Sequence, residues 1–349
     1  MNFNSGKLIQ YKPVSNCRVF YYCIISPLTS LPYFYKNLFM ERILGLHHIT
    51  AIAGNAKLNL DFYTKVLGLR LVKKTVNFDD PGTYHFYYGD EVGTPGTILT
   101  FFPWGNIGKG SIGSGMATGI GYSVNNDSLD FWKNRFTKHN IKFSDPIERM
   151  GEIVLPFQDP DGLYVDLIVP TKADSRKGWS TTEVDAAVAT KGFHSVTLTL
   201  RNTKPTATIL TDIFGYQFEK QEGHRYRFVT DAVDSAAIID LVEEPSMPPG
   251  HGAAGTNHHI AFRVKDENVL MEYREIIARK GLNITPKIDR DYFFSLYFRE
   301  PGGVLFELAS DNPGFSKDEP VEELGSHLML PKQYEASRQE IEKILPVLD

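Results

Sequence analysis

A glycine followed by an alternating apolar run recurs four times along the chain: GLHHITAIAG from Gly45, GIGYSVNND from Gly119, GFHSVTLTLRN from Gly192 and GTNHHIAFRVKD from Gly255. A period of two marks a strand with one buried face. Each run precedes a segment of helical spacing: LNLDFYTKVLGL from Leu58, SLDFWKNRFTKHN from Ser128, TATILTDIFGY from Thr206 and ENVLMEYREIIARKG from Glu267. Short β-rich runs such as TYHFYYGD and TILTFF follow, separated by turn residues. A module of strand, helix and three strands, βαβββ, repeated four times and paired into two curved mixed sheets, makes the chain an α+β protein.

The module ends repeat as well. DPDGLYVDLI from Asp159 aligns without gaps on EPGGVLFELA from Glu300, which sets Asp166 opposite Glu307. Modules one and two occupy residues 40–170, a linker 171–190, and modules three and four 191–312. A tail, 313–349, carries KQYEASRQEIEKIL from Lys332, with the spacing of an amphipathic helix. Residues 1–39 fall outside every repeat. They are aromatic, are interrupted by Pro27 and Pro32, and hold no cleavage pattern or membrane-length apolar run. Met40 before ERILGLHHIT reads as a natural start, so residues 1–39 are expected to be an extension with no part in the fold.

At 349 residues and 42% hydrophobic content, two sizeable cores are available. The net charge of −5, with no basic stripe, argues against nucleic acid or an anionic membrane as partner. The only cysteines, Cys17 and Cys23, precede the repeats. The folded body therefore has no disulfide and no thiolate metal site, as suits a reducing cytoplasm.

The paired histidines His47–His48 and His258–His259 open two of the four leading strands. Neighbouring strand residues face opposite ways, so simple alternation lets only one of each pair face the concave side. His47 is in phase with Ile49, Ala51 and Ala53, and His258 with Ile260, Phe262 and Val264, both apolar faces suited to a helix. His48 and His259 share the more polar faces and are predicted to point inward. Glu307, set between Phe306 and Leu308, would be a costly buried charge without a cation or other partner.

The βαβββ repeat, the HHIT and HHIAF strand starts and the FEL ending resemble the vicinal oxygen chelate superfamily, which includes glyoxalases and extradiol dioxygenases. The four-module chain is most similar to its hydroquinone 1,2-dioxygenase group, over residues 44 to 312. The resemblance implies a metal held by His48, His259 and Glu307, with Fe(II) expected and Mn(II) as the alternative ion. It implies catalytic roles for Tyr297 and Arg290, which stabilise substrate oxyanions, and for His258 as a proton shuttle; Thr50 and His47 are the implied substrate contacts. A bulge would be needed to turn His47 and His258 toward the pocket. The positions matching His48 are Tyr122 in module two and Ser195 in module three, so modules two and three are expected to pair without metal, and modules one and four to pair around it. The partners implied are a small aromatic substrate and O2, with no nucleic acid and no membrane, and a homo-oligomer is compatible with them.

Three ligands leave coordination sites open, as oxygen chemistry requires. A glyoxalase-like lyase or isomerase would use a fourth protein ligand near Thr100, where no carboxylate stands. A ligand-binding protein of the bleomycin-resistance type is the third class. GKGSIG from Gly108 fits a dinucleotide pattern but lacks the acidic partner and following helix, and is expected to be a flexible connector. GHGAAGTN from Gly250 is expected to be a pocket lip or a linker.

Overall fold

The computed structural model describes residues 41–348; the 1–39 extension and both cysteines lie outside the described residues. Each module is a strand, a helix and three strands. Module one holds β1 (Leu46–Ala53), α1 (Ala56–Asp61), β2 (Arg70–Asn77), β3 (Asp80–Gly89) and β4 (Ile98–Pro103); module two holds β5 (Met116–Ser123), α2 (Leu129–Lys138), β6 (Ile147–Arg149), β7 (Glu152–Gln158) and β8 (Tyr164–Val169). Module three holds β9 (Phe193–Leu200), α3 (Lys204–Asp212), β10 (Gln217–Glu222), β11 (Arg225–Val229) and β12 (Ile238–Glu243). Module four holds β13 (Thr256–Val264), α4 (Glu267–Arg279), β14 (Ile288–Asp289), β15 (Phe293–Arg299) and β16 (Leu305–Pro313). Among the described residues no helix is long and apolar enough to cross a membrane.

Two eight-stranded sheets result, ordered β14-β15-β16-β13-β1-β4-β3-β2 and β10-β11-β12-β9-β5-β8-β7-β6. Modules one and four thus share one curved sheet, joined by antiparallel β1 and β13, and modules two and three share the other. The leading glycines Gly45, Gly115, Gly192 and Gly255 all have positive φ. At Gly255 a Cβ would stand 2.3 Å from the Asp161 carbonyl oxygen, so only glycine allows the approach. The glycine that opens module two is therefore Gly115, four residues before the Gly119 suggested by the sequence pattern.

Helix starts follow their caps: the Asn55 side chain accepts from the Leu58 N–H, and Asp266 accepts from those of Asn268 and Val269. The helix after β1 does not stay α-helical: Phe62–Val66 forms a π-turn. There the buried Tyr63 donates to Asp159 of module two at 3.1 Å. The connectors GKGSIG and GHGAAGTN pair with each other, each of Ser111 and His251 donating its N–H to the other's carbonyl. They form a tie between module ends, and His251 does not reach the cavity.

The tail fills one end of the first sheet's concavity. Phe315 and Leu324 join a buried cluster with Val72, Tyr87, Tyr292 and Phe293. The wholly buried Lys73 ammonium pairs with Asp318 at 2.6 Å and with Glu319. The helix expected from Lys332 is split: Lys332–Ser337 is a 3-10 turn and only Arg338–Ile344 (α5) is α-helical. In the turn, the Tyr334 hydroxyl donates to the Phe78 carbonyl on the cavity rim.

Candidate metal centre

Two bulges orient the paired histidines. Leu46 pairs with Phe262 and His48 with Ala261, which leaves His47 as an extra residue on β1. Thr50 pairs with His259 and Ala51 with Asn257, which leaves His258 as the extra residue on β13. A bulge breaks the alternation, so both rings of a pair reach the same side. The two Nδ1 atoms lie 3.0 Å apart in His47–His48 and 2.7 Å apart in His258–His259. Burial, followed by the charge of His48, keeps His47 well below the usual histidine range; burial and His259 push His258 down to about 3. Neutral rings can accept at Nδ1, so His48 and His259 can donate there and turn Nε2 lone pairs inward.

Those lone pairs converge on Glu307. Glu307 Oε2 is 3.1 Å from His48 Nε2 and 2.9 Å from His259 Nε2, and the two nitrogens are 3.4 Å apart. All three side chains are buried. Despite these distances no donor is aimed at Oε2 with hydrogen-bond geometry. Oε1 is instead taken by the Ser295 hydroxyl. Burial raises the Glu307 carboxyl, but the adjacent imidazoles outweigh it and hold it well below the carboxylate range. Burial lowers His259. An ionised oxygen and imidazole nitrogens packed together, with both far sides braced, fit a divalent cation: the ligand atoms lie within 4.8 Å of one another.

The centre opens on a cavity of about 350 Å³. Phe78, Tyr87, Phe102, Trp104 and Phe293 supply aromatic walls, and His258, Thr50, His85, Arg290 and Tyr297 supply polar groups. Tyr297 stands across β15 and β16 from Glu307, with its ring 5.6 Å from that of His259. Arg290 Nε donates to its hydroxyl at 3.3 Å. Burial, then the Glu307 charge, raises the Tyr297 phenol, so it stays protonated. His258 lines the cavity although alternation alone turns it away. His47, in contrast with the expectation of a substrate contact, is not part of the lining: it is buried between His48 and Phe293, whose rings lie 5.2 Å from its own. His85 was invisible to spacing arguments as a partnered residue; the signal lay in TYHFYYGD, where His85 and Tyr87 share one phase.

The second sheet carries a different solution at the same positions. Gly121 pairs with Asp166 as Ala261 pairs with Glu307, so Asp166 matches Glu307 and Gly119, not Tyr122, matches the histidine position of module four. Tyr122 is buried against Phe193. Arg149 pairs with Asp166 at 2.6 Å, and Arg227 joins Glu152 at 2.6 Å to Asp240 at 2.9 Å. Guanidinium groups supply the positive charge here.

The family model of the Glyoxalase/Bleomycin resistance protein/Dioxygenase superfamily matches residues 45–167 and 192–308. MhqO of Bacillus subtilis (strain 168), assigned to the ring-cleaving dioxygenases by name, is 45% identical over 88% of this chain and 97% of its own. The chlorohydroquinone/hydroquinone 1,2-dioxygenase of Sphingobium indicum is 35% identical over 86% of this chain and 95% of its own. A crystal structure of a Bacillus subtilis protein described as a dioxygenase superposes with a TM-score of 0.84 at 44% identity, covering 88% of this chain and 98% of that one. Glyoxalase I of Zea mays shares the fold alone, at 16% identity with a TM-score of 0.57 over 77% of this chain and 92% of its own. The chain belongs to the Glyoxalase/Bleomycin resistance protein/Dioxygenase superfamily, as an enzyme of its dioxygenase branch.

Proposed function

We propose that the chain opens the ring of a hydroquinone or related aromatic diol with O2, using Fe(II), or Mn(II) in its place, held by His48, His259 and Glu307. The observation that carries this reading is the three-atom donor set of His48 Nε2, His259 Nε2 and Glu307 Oε2 at the base of an aromatic-walled cavity. On the module-one side Thr50 pairs with Thr100 as Ala261 pairs with Glu307, so a threonine occupies the place of a fourth carboxylate ligand. A redox-active divalent ion in such a set supplies open coordination positions where a diol and O2 meet. The aromatic walls hold the ring and exclude water. Tyr297, protonated, donates to negative charge that develops on substrate oxygen, and Arg290 both aims that phenol and adds positive charge. His258, exposed at the cavity, moves protons while its Nδ1 steadies His259.

Tyr297→Phe separates binding from chemistry. Turnover of hydroquinone should fall by about a hundredfold, as for a lost oxyanion donor, while iron content stays stoichiometric. Steady-state oxygen uptake and metal analysis on the same preparation read both quantities. Unchanged turnover removes Tyr297 from the mechanism. A wild type that instead isomerises a thiohemiacetal, with no oxygen uptake on hydroquinones or catechols, supports the glyoxalase-like reading.

A further inference from the structure

The tip of the β2–β3 hairpin is not held by its own ladder. Pairing reaches Val76 opposite Tyr84 and then jumps to Asn77 opposite Asp80, so Pro81, Gly82 and Thr83 have no β2 residue opposite them. Proline also lacks the N–H that a ladder needs. Phe78 and Asp79 make the turn itself, and both line the cavity of the metal centre. The Phe78 ring is one of its aromatic walls and stands 6.0 Å from the Arg290 guanidinium.

Side chains replace the missing ladder. Asn77 Oδ1 accepts the Asp79 N–H at 3.0 Å, and Asp80 Oδ2 accepts from the Thr83 hydroxyl at 2.8 Å and from the Trp104 indole N–H at 3.0 Å. The Phe78 carbonyl takes its hydrogen bond from outside module one: the Tyr334 hydroxyl donates to it at 2.7 Å. Tyr334 is itself fixed on both sides along the chain. Before it, Met329 donates its N–H to the Lys74 carbonyl at 2.9 Å. After it, α5 buries Ile341, and Ile344 Cδ1 lies 3.4 Å from where a Cβ at Gly82 would stand. The tail therefore straps the hairpin from Lys74 to its tip. Asp79 faces Arg290 Nη1 at 3.6 Å, but it is too exposed to hold the turn.

Resting on the ring-cleavage reading of this cavity, we infer that Tyr334 is a positioning residue: through the Phe78 carbonyl it fixes the Phe78 ring as a wall for the substrate's aromatic ring. The tail, which lies outside all four modules, thereby completes the site that modules one and four enclose. A wall ordered before binding spares the ligand the entropy of arranging it.

Tyr334→Phe deletes the hydroxyl and keeps the ring, so the tail stays packed. In the full chain, amide hydrogen exchange across residues 77–83 should speed up by about fivefold, the worth of one hydrogen bond, with exchange in β1 and β13 unchanged. Calorimetric titration with hydroquinone under argon, on protein loaded with redox-inert Zn(II), should show the dissociation constant rising by about fivefold. Phe78→Ala should raise it by about tenfold. Adding Tyr334→Phe to Phe78→Ala should change it by less than about twofold, because the hydroxyl acts through that ring. A role in stability alone would leave the affinity of Tyr334→Phe unchanged, and that result overturns the inference. Losses that multiply in the double variant overturn it as well, and so does unchanged exchange in the turn. No arm needs turnover, so failure here is distinct from failure of the ring-cleavage reading, which shows as absent oxygen uptake in the iron-loaded wild type.

Discussion

Glu307→Ala should abolish stoichiometric binding of a divalent ion and leave the fold in place. The substitution removes the only anionic donor of the cluster, while both imidazoles keep their Nδ1 braces. The loss should exceed the roughly 10–100-fold expected from removing a supporting partner such as the Ser295 hydroxyl, so Ser295→Ala serves as the graded control. Stability gives an independent readout. Added metal should raise the melting temperature of the wild type, by mass action on the folded state, and leave that of Glu307→Ala unmoved. Without metal the variant loses the bond from the buried Ser295 hydroxyl to Oε1 and should be less stable than the wild type by about 1–3 kcal/mol, with the fold retained. Full metal occupancy in Glu307→Ala would remove this carboxylate from the centre.

The second large effect lies in the other sheet. Arg227→Met keeps the volume and apolar stem but leaves Glu152 and Asp240 buried without their shared guanidinium. Breaking a buried pair from one side costs about 3–5 kcal/mol, to be read from chemical denaturation at neutral pH. Acid titration supplies the sign. Burial raises the Glu152 carboxyl, but His194 and Arg227 outweigh it and hold it at about 2, below its ordinary value of 4.5. A depressed acid contributes stability that is fully present above the unfolded value and is lost as pH falls through the folded one. Wild-type stability should thus decline between about pH 4.5 and pH 2, and Arg227→Met should show a shallower decline there. A loss below about 1 kcal/mol would mean the network is a solvated ion pair rather than a buried one.

The repeat was legible because each module needs the same alternating strand, helix and turns, and the pattern survives divergence in the side chains. That His48, His259 and Glu307 come together in one sheet was implied by the resemblance, whereas alternation alone supplied only the inward facing of His48 and His259. What alternation could not supply were the two bulges: the extra residues His47 and His258 set each ring's Nδ1 beside that of its neighbour, and of these two His258 lines the cavity whereas His47 does not. Module two slipped by four residues because Gly119 heads the more regular apolar run, whereas the positive φ that defines the module start belongs to Gly115. His85 was missed for a related reason. Its partners Thr100 and Tyr87 come from strands whose pairing, Tyr87 opposite Thr100, appears only once β3 and β4 are in register. The tail offered no periodicity that could place Phe315 and Leu324 in the core of modules one and four.

The most direct measurement is the fate of labelled O2. The protein is loaded anaerobically with Fe(II), mixed with hydroquinone, and exposed to isotopically labelled O2 while consumption is recorded. Ring cleavage at the His48, His259 and Glu307 centre predicts one O2 consumed per ring opened, label carried into the open-chain product, and neither result in Glu307→Ala. Iron-loaded wild type that consumes no oxygen with any hydroquinone or catechol, or that yields unlabelled product, would contradict it.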